Sequence, residues 1–158
     1  MNKYYSKLVF ILSVFLLTSC SYKPIFSEKN YNFEINEIKY SGEKQINNSI
    51  KNKINLIKKN ESQNKKRYDL SINSYKEKLI VSKDSKGDPL KFELIVTTDY
   101  KVNYNNILLL DKTISKNNIY NNDTDKFKLE QNEKIIVENL TEKISEIIIS
   151  SIINLDDN

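Results

Sequence analysis

The chain has 158 residues, with 25 basic and 21 acidic side chains, a formal net charge of +4 and no histidine. The lack of histidine excludes catalytic triads with an imidazole base and metal sites with histidine ligands. Two glycines cannot form a phosphate-binding loop that needs several glycines at fixed spacing, so composition favours a binding or structural role over catalysis, with no cofactor and no metal.

Residues 1–19 have the organisation of a secretory signal peptide. Lys3 and Lys7 give a positively charged start, and the segment Leu8 to Leu17 is apolar except for Ser13. That run is too short to cross a bilayer, which needs roughly 20 apolar residues. A charged start, a short apolar core and a small-residue exit are typical of a signal peptide that is removed from the mature protein.

Cys20 is the predicted site of lipid attachment. The sequence Leu17-Thr18-Ser19-Cys20 resembles the lipobox of bacterial lipoproteins, in which the thiol takes a diacylglyceryl group and the freed amine is usually acylated too. Cys20 is the only cysteine, so no internal disulfide can form. Because two or more acyl chains hold a protein firmly, we expect a stable membrane anchor through the N-terminal lipid, with the mature protein outside the cytoplasm. The alternative is a free cysteine after an ordinary signal or anchor helix.

The mature chain divides into a lipidated tether, residues 20–30, and a single domain, residues 31–158. Removal of the signal peptide leaves 23 basic against 21 acidic residues, because only Lys3 and Lys7 are lost. This near-neutral balance, without any nucleic-acid motif, argues against nucleic acid as a partner.

The domain opens with a strand and a helix. Two apolar pairs with a phase slip of one residue predict a first strand with a bulge or bend, at Phe33 and Ile35 and then at Ile38 and Tyr40. Ser41 is a candidate helix cap, and Glu43 suits the first helical turn. Isoleucines at steps of four, four and three predict an amphipathic helix that ends near Asn60, at Ile46, Ile50, Ile54 and Ile57.

Three more strands follow, with two turns between them. A polar stretch, Glu61 to Arg67, leads to a strand at Tyr68, Leu70 and Ile72. A turn is predicted at Asp84 to Pro89. The clearest alternation then runs from Leu90 to Tyr104 and predicts a strand with one core face, for which a lipid-accepting groove is the alternative. The pair Asn105-Asn106 predicts a two-residue hairpin turn into a fourth strand, Ile107 to Ser115, because asparagine tolerates positive φ.

A second polar loop, Lys116 to Asp125, precedes a terminal helix. Its apolar stripe is Ile136, Leu140, Ile144, Ile148 and Ile152. The order β-α-β-β-β-α predicts an α+β fold, a two-layer sandwich of a four-stranded sheet with two helices on one face.

The opening of the mature chain carries a resemblance to a known family. The sequence Cys20-Ser21-Tyr22-Lys23-Pro24-Ile25-Phe26 resembles the Cys-Gly-Phe-Arg-Pro-Leu-Tyr opening of alphaproteobacterial LPS-assembly lipoproteins of the LptE type. The cysteine and the proline match, and the other five positions are related substitutions. The order of the elements in the mature chain is similar to that family as well.

The resemblance implies a location, partners and a non-enzymatic role. LptE-like proteins lie on the periplasmic face of the outer membrane, plug the LptD β-barrel and help it to assemble, and contact lipopolysaccharide during its export. The resemblance thus implies an LptD-like outer-membrane β-barrel and lipopolysaccharide as partners. Ser21 agrees with that location, since aspartate at this position favours retention in the inner membrane.

Three lysines around the predicted turn are candidates for contact with lipopolysaccharide. Lys83, Lys86 and Lys91 flank the segment Asp84 to Pro89, where cationic groups could meet the phosphates of lipid A as charge-assisted pairs. A solvated basic loop is the alternative interpretation, and no motif of the family selects these residues.

Two other functions stay open at this point. The chain could be an auxiliary lipoprotein of an ABC-type envelope exporter. It could also be an enzyme that uses only carboxylates, which would need two of them on facing elements of a cleft. Asp84, Asp88, Asp123 and Asp125 lie in turn-like segments, where aspartate is favoured for hydrogen bonds to the backbone.

Overall fold

The computed structural model describes residues 33–57 and 65–156, so the predicted signal peptide, Cys20 and the tether lie outside the described residues. The elements in chain order are β1 (Phe33–Gly42), α1 (Lys44–Ile57), β2 (Lys66–Lys83), β3 (Pro89–Tyr104), β4 (Ile107–Asn121) and α2 (Lys126–Asp156). This order confirms the predicted α+β class.

The four strands form one sheet in the order β1-β2-β3-β4. β2, β3 and β4 are antiparallel neighbours joined by tight turns, whereas β1 pairs with β2 in parallel. A parallel pair needs a crossover connection, and α1 supplies it. Both helices therefore return to the same face of the sheet and leave the other face uncovered.

The core lies between this face and the helices. The predicted strand at Leu90 to Tyr104 is confirmed as core at its centre, where Val96, Tyr100 and Val102 are fully buried. The isoleucine stripes of both helices pack against it, with Ile46, Ile50 and Ile54 on α1 and Ile144, Ile148 and Ile152 on α2. Each such side chain contributes about 1.5–3 kcal/mol when it leaves water. The stripe is filled by the protein itself, so the alternative of a lipid-accepting groove does not apply to these positions.

Two local predictions are confirmed in their details. The register of β1 against β2 shifts between Ile35 and Glu37, so Asn36 is the extra residue of a bulge, and its Nδ2 donates to Asp69 Oδ1 at 2.8 Å. The turn between β3 and β4 has positive φ at Asn105 (50°) and Asn106 (64°). Two residues of positive φ give the hairpin turn whose twist matches the flanking strands.

Two strands are longer than predicted. The segment Lys116 to Asn121, predicted as part of a loop, continues β4 and pairs with β3 as far as Lys91. β2, predicted at Tyr68 to Ile72, continues to Lys83. The segment Lys116 to Asn121 is mostly polar, and the extension of β2 lacks a clear apolar–polar alternation, so neither indicated a strand; strand formation there depends on pairing with a neighbour more than on intrinsic preference.

A close backbone approach joins β1, β2 and the start of α1. Gly42 has a φ of +83°, and a Cβ at this position would lie 1.9 Å from the carbonyl oxygen of Ser74. The same oxygen accepts a hydrogen bond from Glu43 N at 2.7 Å. Ser74 Oγ in turn donates to Asn47 Oδ1 at 2.7 Å, and Asn47 Nδ2 donates to the carbonyl of Ser41 at 2.8 Å.

The predicted cap at Ser41 is wrong. Ser41 lies in β1, and its hydroxyl donates to Asn73 Oδ1 at 3.0 Å rather than accepting from the helix. The first helical hydrogen bond runs from Asn47 N to Glu43 O at 3.0 Å, so Glu43 precedes the helix instead of lying in its first turn. With Gly42 in the left-handed conformation, the helix begins at Lys44, two residues later than a cap at Ser41 would place it.

Gly42→Ala is expected to lower the free energy of unfolding by at least about 2 kcal/mol. The left-handed conformation costs an L-residue roughly 1–2 kcal/mol, and the new methyl group would also overlap the Ser74 carbonyl. Gly87→Ala is the matched control, because its φ is +92° but the added Cβ would meet nothing within 4 Å. Urea denaturation measures both variants, and equal losses would show that the close approach at Gly42 has no cost of its own.

Candidate functional site

The sheet extends beyond the helices at one end. We call the end with the β2–β3 turn the distal end and the end where β1 begins the proximal end, and we define the hairpin tip as residues 79–91. In the hairpin tip, four large apolar side chains are about half exposed: Leu79, Ile80, Val81 and Leu90. Leu79 and Ile80 are successive residues of β2 and lie on opposite faces of the sheet, so the tip exposes apolar side chains on both faces.

The turn of the hairpin tip is held by the side chain of Asp84. Asp84 Oδ1 accepts from the backbone N–H groups of Lys86 and Asp88, each at 2.8 Å. Asp84 N also donates to Asp88 O at 2.9 Å, and Gly87 supplies a positive φ of 92°. The predicted turn is confirmed, and the Asp84 carboxylate holds its backbone.

The other aspartates of the distal end also bind backbone. Asp125 Oδ1 accepts from the N–H groups of Phe127 (3.1 Å) and Lys128 (3.2 Å), so Asp125 caps α2. Asp123 Oδ1 accepts from Asp125 N at 2.9 Å. Both carboxylates therefore bind the backbone of the loop and of the helix start.

The structure brings the three predicted lysines into the hairpin tip. Lys83 is paired with Pro89, Lys91 is paired with Ser82, and Lys86 lies in the turn itself. All three side chains are exposed. Within the described residues none of the three forms a salt bridge, so the tip combines available ammonium groups with exposed apolar side chains.

Asn122 fixes the base of the hairpin tip. Its Nδ2 donates to Pro89 O and its backbone N donates to Leu90 O, each at 2.8 Å. These two bonds connect the end of β4 to the start of β3.

Behind the tip, four side chains connect the sheet to the start of α2. Lys78 Nζ lies 2.5 Å from Glu133 Oε1 and 4.1 Å from the centroid of the Phe92 ring. Tyr120 OH donates to the same Glu133 oxygen at 2.8 Å. Burial, with this hydrogen bond as the second cause, raises the pKa of Tyr120 well above its ordinary value, so the phenol stays a donor. We call Lys78, Phe92, Tyr120 and Glu133 the charged clamp.

A cleft of about 510 Å³ lies beside the charged clamp, between α1, β2 and α2. Its carboxylates are Glu77, Glu130 and Glu133. Glu133 is already bound by Lys78 and Tyr120, and the other two are exposed to solvent. In the described ranges, 33–57 and 65–156, no group of three histidine, cysteine or acidic residues is placed to hold a metal ion.

Sequence reasoning missed the charged clamp. Lys78 and Glu133 lie 55 positions apart, on elements whose facing depends on the whole fold. The only sequence cue was Tyr120, an aromatic residue inside an otherwise polar segment.

In the part of the chain that the structure describes, neither helix combines the length and the apolar character that a membrane span requires.

Glu133→Gln is expected to destabilise the protein by about 1 kcal/mol, because Lys78 loses its charged partner in a half-exposed setting. Tyr120→Phe removes one hydrogen bond to the same oxygen and should cost a similar amount. A double-mutant cycle on unfolding midpoints should show coupling of at least about 0.5 kcal/mol. Strictly additive losses would mean that the two contacts do not form one unit.

Comparison with known proteins identifies the fold. Neither a protein-family profile nor a curated protein sequence matches this chain. The solved structures that match include rare lipoprotein B from Shewanella oneidensis, at 16% identity and a TM-score of 0.55, over 76% of this chain and 98% of that one. An uncharacterized lipoprotein B from Nitrosomonas europaea matches at 17% identity and a TM-score of 0.56, over 73% of this chain and 79% of that one.

A minor lipoprotein from Acinetobacter baumannii matches at 13% identity and a TM-score of 0.51, over 73% of this chain and 91% of that one. These matches cover most of both chains in each case and therefore concern the domain as a whole rather than a single motif. The chain therefore has the fold of these bacterial lipoproteins.

Proposed function

We propose that this chain is an LPS-assembly lipoprotein of the LptE type. It is held by lipid on Cys20 at the periplasmic face of the outer membrane, where it plugs an LptD-like β-barrel, helps it to assemble and assists the insertion of lipopolysaccharide. The observation that carries the proposal is the combination of a lipobox-like opening with a domain that has the fold of solved lipoproteins. Residues 1–19 are the signal peptide, residues 20–30 the lipidated tether and residues 31–158 the domain.

The hairpin tip suits the proposed contact with lipopolysaccharide. Lipid A presents phosphates next to acyl chains, and the tip presents Lys83, Lys86 and Lys91 next to exposed apolar side chains. Ammonium groups bind phosphate oxygens through charge-assisted hydrogen bonds. Asp84 accepts two backbone N–H groups and forms no salt bridge with these lysines among the described residues.

The proposed role is non-enzymatic. The aspartates of the distal end bind backbone groups, and Glu133 binds Lys78 and Tyr120. The proposed action depends on the shape of the domain. Because the helices fill the core beneath the sheet, the domain is closely packed and keeps its shape inside a barrel, which favours assembly of that barrel. The second candidate, an auxiliary lipoprotein of an ABC-type exporter, uses the same anchor with a different partner.

Affinity purification of the full-length protein from detergent-solubilised native membranes, followed by mass spectrometry, tests the partner. We expect stoichiometric recovery of a large outer-membrane β-barrel. Cys20→Ser is the control, because it should block lipidation, leave the precursor uncleaved and reduce that recovery. Recovery of an ABC permease and its ATPase would replace the proposal with the exporter role, and recovery of the chain alone would overturn both.

Replacement of the tip lysines tests the ligand. The triple variant Lys83→Gln, Lys86→Gln and Lys91→Gln should weaken binding of purified lipopolysaccharide about tenfold, since exposed charge pairs contribute up to about 1 kcal/mol each. A matched variant with the same loss of charge replaces three exposed helix lysines, Lys44, Lys51 and Lys143, and should bind almost normally. Equal weakening in both variants would indicate nonspecific attraction to net charge.

A further inference from the structure

The two hairpin turns of the sheet have opposite chemistry. The distal turn, Asp84 to Pro89, is built from polar and charged residues. At the proximal end, the β3–β4 turn places three consecutive large apolar residues in solvent: Ile107 is 63% exposed, Leu108 52% and Leu109 40%. Asn105 and Asn106, which form the apex, carry no charge. We call residues 105–109 the proximal turn.

A bulge keeps these apolar side chains out of the core. Asn103 is paired with Leu108 and Val102 with Leu110, so Leu109 is the extra residue in the pairing of β3 with β4. Leu110 then turns inward and packs against the core. β4 is an edge strand, and an exposed apolar run at an edge invites association with something else. The core therefore does not explain why Ile107, Leu108 and Leu109 are apolar.

The proximal turn lies at the end of the sheet where the chain arrives from Cys20. One row of paired residues crosses the sheet from Ile35 through Tyr68 and Tyr104 to Ile107. Aromatic rings pack at this end of the sheet. The ring centroids of Phe33 and Tyr68 are 5.7 Å apart, and those of Tyr68 and Tyr104 are 5.9 Å apart. Residues 21–32 span at most roughly 40 Å when extended, so a lipid on Cys20 keeps the proximal end near the bilayer.

The charges next to the proximal turn are compatible with a lipid surface. Asp111, the acid of β4 that follows the turn, is paired with Lys101 at 2.8 Å. The hydrogen bond and the charge of Asp111 raise the pKa of Lys101 above its ordinary value. Lys101 therefore keeps its positive charge, which balances the negative charge of Asp111. Among the described residues, the acid of β4 that follows Ile107 to Leu109 is thus balanced by Lys101, and Asp69, in the row of paired residues that contains Leu108, accepts a hydrogen bond from Asn36.

We propose that the proximal turn inserts into the interface of the bilayer that holds the lipid on Cys20, with Ile107, Leu108 and Leu109 as the inserted side chains. The proposal rests on the lipid anchor of the proposed function and adds a second point of attachment, which fixes the orientation of the domain. An acyl anchor alone leaves a domain free to rotate, whereas an apolar contact at one end holds that end against the membrane. The hairpin tip, at the other end of the sheet, then stays outside the lipid.

Tryptophan fluorescence tests the insertion, because the natural chain contains no tryptophan. Leu108→Trp is prepared in the full-length protein and mixed with vesicles of phosphatidylethanolamine and phosphatidylglycerol, with and without brominated acyl chains. Asn139→Trp, at an exposed uncharged position in the middle of α2, is the matched control. We expect the emission of Leu108→Trp to shift to the blue and to be strongly quenched by the brominated lipid, while that of Asn139→Trp keeps its position and intensity.

Equal quenching at both positions, or none at Leu108→Trp, would overturn the proposal. Ile107→Trp is a second variant, for use if Leu108→Trp changes the unfolding midpoint, and the same comparison applies to it. The intact mass of the protein shows separately whether Cys20 carries lipid. The intact mass tests whether the lipid anchor of the proposed function is present. The quenching tests whether the proximal turn inserts into the bilayer.

Discussion

The fold depends on one close contact, between the backbone of Gly42 and the carbonyl of Ser74. β1 can lie parallel to β2 only if the chain leaves the sheet and crosses over through α1. Gly42 allows that exit, because its positive φ and its missing side chain let the backbone pass Ser74 while Glu43 N binds the same carbonyl. Asn47 and the Ser74 hydroxyl then fix the first turn of α1 against β2. The position of α1, and with it the filled core, follows from this contact.

A second consequence comes from the difference in length between the sheet and the helical layer. Where the helices cover the sheet, alternate side chains of the strands are buried, and the alternation of apolar and polar residues in the sequence predicts the strands correctly. Where they do not, the strands continue through pairing alone, with Leu79, Ile80 and Val81 exposed. The charged clamp marks this border, because Lys78 and Glu133 join the last covered part of β2 to the start of α2.

The two ends of the sheet thus suit different surroundings. The hairpin tip combines lysines with apolar side chains, which fits an amphiphile with phosphates. The proximal turn is apolar and uncharged, which fits a lipid surface. An elongated domain with distinct ends suits a protein that stands between a membrane and a partner, since each end can bind its own target.

The sequence by itself determined the class of the fold, the order of its elements, the bulge at Asn36, the turn at Asn105 and Asn106 and the placing of Asp84 in a turn. Each depends on neighbours in the chain, through periodicity or local backbone preference. Tertiary structure alone decided the parallel pairing of β1, the extension of β2 and β4, the true start of α1 and the charged clamp. These depend on residues far apart in sequence, such as Gly42 and Ser74 or Lys78 and Glu133, whose contact exists only once the layers have packed.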